Sequence, residues 1–72
     1  MIIDVENISI VDGIGVQVVV RTDESMPTGR YENDPLVEII VKKYLRTIKE
    51  IKGLRCIRMD VRGNQAQFSF VK

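Results

Sequence analysis

Hydrophobic and polar residues alternate at both ends of this chain, whereas in its middle the hydrophobic residues recur at intervals of three and four. Alternation is typical of strands with one buried face, and the longer spacing is typical of an amphipathic helix. The pattern predicts six segments in order: strands over 2–11 and 15–22, a polar loop over 22–33, a helix over 35–52, and strands over 55–62 and 65–71. The regular elements therefore follow the order ββαββ.

The last two strands form the clearest hairpin. Gly63-Asn64 favours a two-residue turn between them, because both residue types adopt positive φ readily. This turn places Met59 opposite Phe68 and Ile57 opposite Phe70, and directly opposed residues lie on the same face of a sheet. All the apolar pairs of this hairpin therefore face the predicted core.

The first two strands need a longer connection. Ile10 shares a face with the valines of the second strand if it lies opposite Val16, which leaves the five residues 11–15 between them. A two-residue turn at Asp12-Gly13 would instead place Ile8 opposite a glutamine. Because burial of the valines outweighs the turn preference, we expect Ile10 to pair with Val16.

Ile3 and Val5 have the opposite parity to Ile8 and Ile10 in the first strand. Two arrangements accommodate them. Either a β-bulge near Glu6-Asn7 returns Ile3 and Val5 to the core, or the two residues form an apolar patch on the outer face of the sheet.

The middle of the chain consists of a loop and a helix. The loop is long and polar for so small a domain, so we expect it to be functional or mobile. Asp34-Pro35 predicts a sharp helix start, with a carboxylate N-cap and proline at the first helical position. Gly53 predicts the helix end after Lys52. The apolar residues fill an arc of roughly 180°, broad enough to lie across a sheet, and Ile39 points away from it.

These elements predict one α+β domain over residues 1–72, in which two hairpins form a four-stranded sheet with the helix packed across one face. The order of elements resembles the β-grasp of ubiquitin-like proteins and of the immunoglobulin-binding domains of bacterial surface proteins. The resemblance implies that the two hairpins meet through their first and last strands. The ubiquitin-like carriers end in Gly-Gly, whereas this chain ends in Phe70-Val71-Lys72, so we do not expect a carrier. Fold alone assigns no function.

Composition excludes several classes of protein. The 72 residues include one cysteine, so no disulfide forms within the chain. Plentiful apolar residues and a net charge of +1 exclude disorder, and no apolar run approaches the roughly 18 residues of a membrane span. No basic leader precedes Ile2-Ile3, so we expect no signal peptide and a cytoplasmic location.

The near-neutral net charge hides two unequal halves. Residues 1–34 hold two basic and seven acidic residues, a net of −5, and residues 35–72 hold nine basic and three acidic ones, a net of +6. Such asymmetry indicates electrostatic choice of a partner, unless the two halves neutralise each other within one domain.

Catalytic chemistry is poorly represented in the sequence. With no histidine, the commonest general base and zinc-site nitrogen are missing. Cys56 has neither a CxxC partner nor a histidine to activate it. Residues 12–15 read Asp-Gly-Ile-Gly, but Val18 occupies the third glycine position of a phosphate loop and no helix follows. We therefore expect no enzyme, no catalytic residue, no bound metal and no cofactor.

Polar and basic residues define one candidate binding surface. Its members on the outer sheet face and on the helix are Arg21, Arg58, Arg62, Gln65, Gln67, Lys42, Arg46 and Lys49. Arginine and glutamine suit contacts with phosphates and base edges, but the outer face has no aromatic side chain on which a base would stack. The alternative is an ordinary solvated face, since Glu38 and Glu50 interrupt the helix cations.

Outward-facing apolar residues define a second candidate surface, formed by Val19, Cys56 and Val71. Cys56 and Val71 fall opposite each other in the predicted register. A patch of this kind favours pairing with another chain, although scattered apolar residues are also normal on a monomer. We expect a small non-catalytic interaction module whose partner is a protein, itself or another, held through the outer sheet face or its edge. The alternative is a nucleic-acid-binding accessory protein that uses Arg58, Arg62 and the basic helix face.

Overall fold

A computed structural model describes residues 2–13, 15–23, 25 and 27–72, apart from the side chain of Ile3. The fold is α+β, with one antiparallel sheet and one helix. The five strands are β1 (Ile2–Val11), β2 (Gly15–Thr22), β3 (Gly29–Glu32), β4 (Arg55–Arg62) and β5 (Gln65–Val71). The helical segments are α1 (Pro35–Ile40), the π-helical turn (Val41–Leu45) that continues it, and a 3₁₀ turn (Lys49–Ile51). No helix in the described part of the chain is long and apolar enough to cross a membrane.

The sheet has five strands rather than the predicted four, because the predicted loop over 22–33 contains β3. This short strand pairs with β4 and places Tyr31 opposite Met59. The half-buried Tyr31 packs against the core, and its hydroxyl donates a hydrogen bond of 3.0 Å to the Pro27 carbonyl. Four residues are too few for alternation to stand out, so the sequence pattern did not reveal the strand.

The strand order β1-β2-β5-β4-β3 corrects the arrangement implied by the β-grasp resemblance. The two hairpins meet through β2 and β5, which run antiparallel, and β1 lies at the edge. Val18 of β2 lies opposite Phe68 of β5, and both are fully buried. This order places β2 and β5, whose helix-facing side chains are buried, between other strands, where a large apolar area is removed from water.

The first hairpin has the predicted register. Ile10 lies opposite Val16, and the ladder continues by one further pair, so the connection is shorter than the five residues expected. A bulge at Glu6 is also confirmed, and it places Val5 on the helix-facing side, opposite Val20. A second irregularity lies between Ile2 and Asp4. The predicted position of the Ile3 side chain lies outside the described residues.

The second hairpin has the predicted register only near its turn. Met59 lies opposite Phe68 as expected, but a bulge at Ile57 places Cys56, not Ile57, opposite Phe70. Cys56 therefore packs against the core, whereas Ile57 is 41% exposed. A bulge inserts one residue into a strand, and strict alternation of side chains cannot anticipate it.

The helix begins where predicted and ends early. The Asp34 carboxylate accepts a hydrogen bond of 2.9 Å from the Leu36 backbone N–H, as an N-cap does. The π-helical turn ends at Leu45, and Ile48 is extended, so the predicted helix to residue 52 is wrong. The redirected chain buries Ile51 completely. Arg46 holds this turn, because its guanidinium donates to the Leu54 carbonyl at 3.0 Å.

Candidate interaction surface

The two edge strands of the sheet, β1 and β3, differ in how well they are protected from pairing with other chains. Natural proteins shield sheet edges by making them short or charged, because exposed backbone groups there pair with other chains. The β3 edge has four residues, and its Arg30 lies 3.2 Å from Asp60 and 3.8 Å from Glu32. The β1 edge has ten residues. The β3 edge is therefore the protected one.

The β1 edge itself has two parts. Its first part contains both irregularities of the ladder and the acidic residues Asp4 and Glu6. Its second part, Asn7-Ile8-Ser9-Ile10-Val11, pairs regularly with β2 and carries no charge. We call these five residues, 7–11, the open edge. The open edge lacks the bulges and charges that discourage strand pairing.

Ile10 is the most exposed large apolar residue described in the structure. It was expected in the core because it shares a face with Val16, but 67% of its surface is exposed. The reason is the position of the helix, since α1 packs against β4, toward the far side of the sheet. The helix therefore leaves this end of β1 uncovered.

An apolar groove of about 520 Å³ lies beside Ile10. Its lining includes Val11, Gly15 and Leu54, together with the charged residues Asp12 and Lys72. Gly15 is required there, because an added Cβ would lie 1.9 Å from the carbonyl oxygen of Phe70. This close approach holds the end of the first hairpin against the end of β5, so the groove is part of the folded framework.

The outer sheet face brings five of the predicted polar residues together. They stand in rows that run across the strands, as the register shows: Arg21–Gln65–Arg62, Val19–Gln67–Asp60–Arg30 and Gln17–Ser69–Arg58–Glu32. All three glutamines of the chain therefore lie on this face. A shallow hollow of about 270 Å³ lies between the first two rows.

Acidic residues neutralise part of this face. Asp60 contacts two arginines, at 3.2 Å from Arg30 Nε and 2.9 Å from Arg58 Nε. The Arg58 N–H is not directed at the carboxylate, so the shorter contact is an ion pair rather than a hydrogen bond. Among the residues that the structure describes, Arg21 and Arg62 form no ion pair. Arg21 and Arg62 lie at one end of the face, whereas Arg55, which is also exposed and without an ion pair in the described part of the chain, lies at the other end opposite Val71.

The predicted helix cations are separate from this face. Lys42 lies on the π-helical turn, but Lys49 lies on the 3₁₀ turn, because the helix ends at Leu45. Arg46 is held by Glu38 at 3.2 Å and by a backbone carbonyl. Since the helix covers the opposite side of the sheet, these cations and the outer-face arginines do not form one surface.

The predicted apolar patch of Val19, Cys56 and Val71 does not form. Val19 lies in the middle of the outer face, and Val71 lies opposite Arg55, about 13 Å along the strands at 3.3 Å per residue. Cys56 lies on the helix-facing side because of the bulge next to it. The exposed apolar residues lie elsewhere, chiefly on β1 and α1.

The Cys56 thiol is poorly suited to nucleophilic chemistry. Burial raises the pKa of this thiol, and this effect outweighs the backbone hydrogen bonds at Arg58 and Ser69 that lower it. The Sγ atom lies 3.4 Å from the Arg58 carbonyl oxygen, to which the thiol donates. The reactive thiolate is therefore scarce at neutral pH.

The two charged halves of the sequence are interleaved in space. The strands of the acidic half are β1, β2 and β3, and they flank β5 and β4 of the basic half on both sides. Within the described residues, the acidic and basic halves of the sequence therefore do not form separate ends of the sheet. Attraction between opposite ends of two copies is not supported by this arrangement.

Neither a metal site nor a similarity to known proteins assigns a role to this surface. Within the described residues, no three of His, Cys, Asp and Glu are grouped so that they could hold a metal ion. Comparisons with protein-family models, with curated proteins and with solved structures find no match for the chain. The candidate surface is therefore defined by the geometry of β1.

Sequence reasoning missed the open edge for an identifiable reason. Ile10 has core parity, and nothing in the alternation distinguishes a central strand from an edge strand. The long charge-free run from Asn7 to Val11 was the available signal. It becomes informative only when the strand order shows that β1 has one neighbour.

Proposed function

We propose that this protein is a small non-catalytic interaction module that binds an extended polypeptide segment along the open edge of β1. The observation that carries the proposal is the exposure of Ile10, at 67%, within the five charge-free residues of the open edge. Strand addition to such an edge is a general mode of peptide recognition, in which backbone hydrogen bonds supply affinity and side-chain pockets supply specificity.

The groove beside the open edge supports this mode. An incoming strand places alternate side chains on each face of the sheet. Those on the helix-facing side would lie next to Ile10 and reach the groove lined by Val11 and Leu54. We therefore expect the bound segment to carry apolar residues at alternate positions.

Selection from a random peptide library against the protein tests the proposal. The recovered peptides should have alternating apolar residues, and their binding should shift the backbone amide signals of residues 7–11. Ile10→Lys should abolish binding, because it places a charge beside the added strand. Ile39→Lys is the matched control, since Ile39 is 60% exposed on α1 and distant from the edge in sequence.

Peptides that shift only the backbone amide signals of strands other than β1 would contradict the proposal. Peptides that bind Ile10→Lys as well as they bind the parent protein would also contradict it. An equal loss of binding in both lysine variants would also contradict it, because a general effect of charge would then explain the result.

We keep nucleic-acid binding through the outer face as a second candidate. The observation that favours it is the row Arg21–Gln65–Arg62, in which two arginines without ion pairs flank a glutamine. Phosphate contacts by these arginines would make affinity fall steeply with salt. Replacing both with alanine should weaken binding to double-stranded DNA, whereas Lys42→Ala with Lys43→Ala should not. Unchanged binding by the arginine variant would remove this candidate.

A further inference from the structure

We infer that the partner of the open edge is a second copy of this chain, paired antiparallel through β1 about a two-fold axis at Ser9. The inference rests on the proposed function and adds the identity of the partner and the register. Two copies would then form one continuous sheet of ten strands, with both helices on the same side.

The position of the axis follows from the limits of the open edge. The edge runs from Asn7, after the bulge, to Val11 at the end of the strand, and its midpoint is Ser9. Antiparallel pairing about that midpoint places Ser9 opposite the partner's Ser9 and Ile8 opposite the partner's Ile10. All five pairs then lie within regular, uncharged strand.

Neighbouring registers are less favourable. An axis at Ile10 would place Ile8 opposite the partner's Asp12, a charge beside an apolar side chain. An axis at Ile8 would bring Glu6 and its bulge into the ladder, where the irregular backbone interrupts pairing. Because side chains alternate between faces, each of these shifts also changes which residues lie side by side.

The Ser9 register also covers the apolar residues that one copy leaves in water. Ile8 is half-buried and Ile10 is largely exposed, and both lie on the helix-facing side. In the pair, each Ile10 lies beside the partner's Ile8, and each removes apolar surface of the other from water. The same patch serves both copies, as a two-fold interface requires.

The size of the contact predicts a weak dimer. Five residue pairs bury less than the roughly 1,200 Å² of total area below which specific interfaces are weak or transient. We expect the dimer to form at protein concentrations on the order of 0.1–1 mM, because little favourable binding free energy remains after the entropic costs of association.

Directed disulfide formation tests both the partner and the register. Ser9→Cys, in a Cys56→Ala background, is incubated with oxidised glutathione at high protein concentration. Directly opposed residues have Cα atoms about 4.5–5.5 Å apart, a separation that a disulfide accepts. We expect a covalent dimer with Ser9→Cys and none with the matched control Ser25→Cys, which is exposed outside β1.

A second pair of variants checks the register independently. Asn7→Cys alone and Val11→Cys alone should not cross-link. In the Ser9 register, each of these residues is offset by about 13 Å along the strands from the same residue in the partner. A mixture of the two should yield the mixed dimer. Efficient cross-linking of either variant with itself would overturn the Ser9 register.

Failure of this inference is distinct from failure of the proposed function. If Ser9→Cys cross-links no faster than Ser25→Cys, self-pairing at the open edge is wrong. If library peptides nevertheless shift the amides of residues 7–11 in the same protein, the edge binds another polypeptide and the proposed function stands. If neither result is obtained, both are wrong.

Discussion

Ile10 and Val16 lie directly opposite each other across the first hairpin, yet Val16 is 6% exposed and Ile10 is 67% exposed. Directly opposed residues share a face, so the difference is one of position across the sheet. Val16 has β5 on its other side, whereas Ile10 has no further strand beside it. The pair therefore marks the boundary between the core and the surface that we propose as the binding element.

The core depends on Phe68. This residue is fully buried between Val18 and Met59, its neighbours on the adjacent strands. Phe68→Ala should lower the free energy of unfolding by about 3–5 kcal/mol, because it removes apolar area and leaves a cavity. Thermal unfolding measures the loss, and a midpoint close to that of the parent protein would contradict the packing described. Ile39→Ala, on exposed surface, is the control and should change little.

Gly15 allows the first hairpin to approach β5. Gly15→Ala should destabilise the protein by about 1–3 kcal/mol, because the new methyl group would meet the Phe70 carbonyl and backbone must move. Gly29→Ala is the matched control, since nothing lies within 4 Å of its added Cβ. Urea denaturation of both variants measures the difference. Equal stabilities of the Gly15→Ala and Gly29→Ala variants would show that the first hairpin and β5 are further apart than in the structure.

The start of the helix depends on the Asp34 side chain. Asp34→Ala should cost about 1 kcal/mol of stability, because the Leu36 N–H loses its hydrogen-bond acceptor. Asp34→Asn keeps an acceptor oxygen and should retain most of the stability. Chemical denaturation of the three proteins tests this ranking, and an alanine variant as stable as the parent would refute the role of the cap.

The Cys56 thiol should ionise at higher pH in the folded protein than in the unfolded chain, because burial raises its pKa. The rate of alkylation by iodoacetamide is proportional to the thiolate fraction. The pH at which this rate increases should therefore be higher for the native protein than for the protein unfolded in urea. Since folding disfavours the thiolate, the contribution of this group to stability should decrease as the pH rises above the unfolded pKa. A native rate profile at lower pH than the profile in urea would reverse this conclusion.

Short-range features of the fold could be predicted from the sequence. The Gly63-Asn64 turn fixed the pairing of Met59 with Phe68, and Asp34 marked the helix start. These features depend on a few adjacent residues with strong conformational preferences, so local rules suffice. The pairing of Ile10 with Val16 was also predictable, because a one-residue shift would have exposed every valine of β2.

Features set by contacts distant in sequence could not be predicted. The alternation in β2 and β5 shows that each has a buried face but not that Val18 lies beside Phe68. The position at which the helix ends also depends on tertiary contacts. Burial of Ile51 and the contact of Arg46 with the Leu54 carbonyl favour a turn over continued helix. Tertiary packing therefore overrides the helical periodicity after Leu45.

The candidate surface was predicted only in part. Polar side chains on the outer face follow from alternation, so Arg21, Arg62 and Gln65 could be assigned to it from the sequence. The open edge could not be assigned, because its exposure depends on which strand lacks a second neighbour. The bulge that moved Cys56 to the core side also left no sequence signal.

Sedimentation equilibrium of the parent protein, Ile10→Lys and Ile39→Lys tests most directly the claim that this chain binds itself through the open edge. The parent and Ile39→Lys should show a reversible monomer–dimer equilibrium at concentrations approaching about 1 mM, whereas Ile10→Lys should remain monomeric and folded. A parent protein that stays monomeric over this range, or an Ile10→Lys variant that dimerises as the parent does, would contradict the claim.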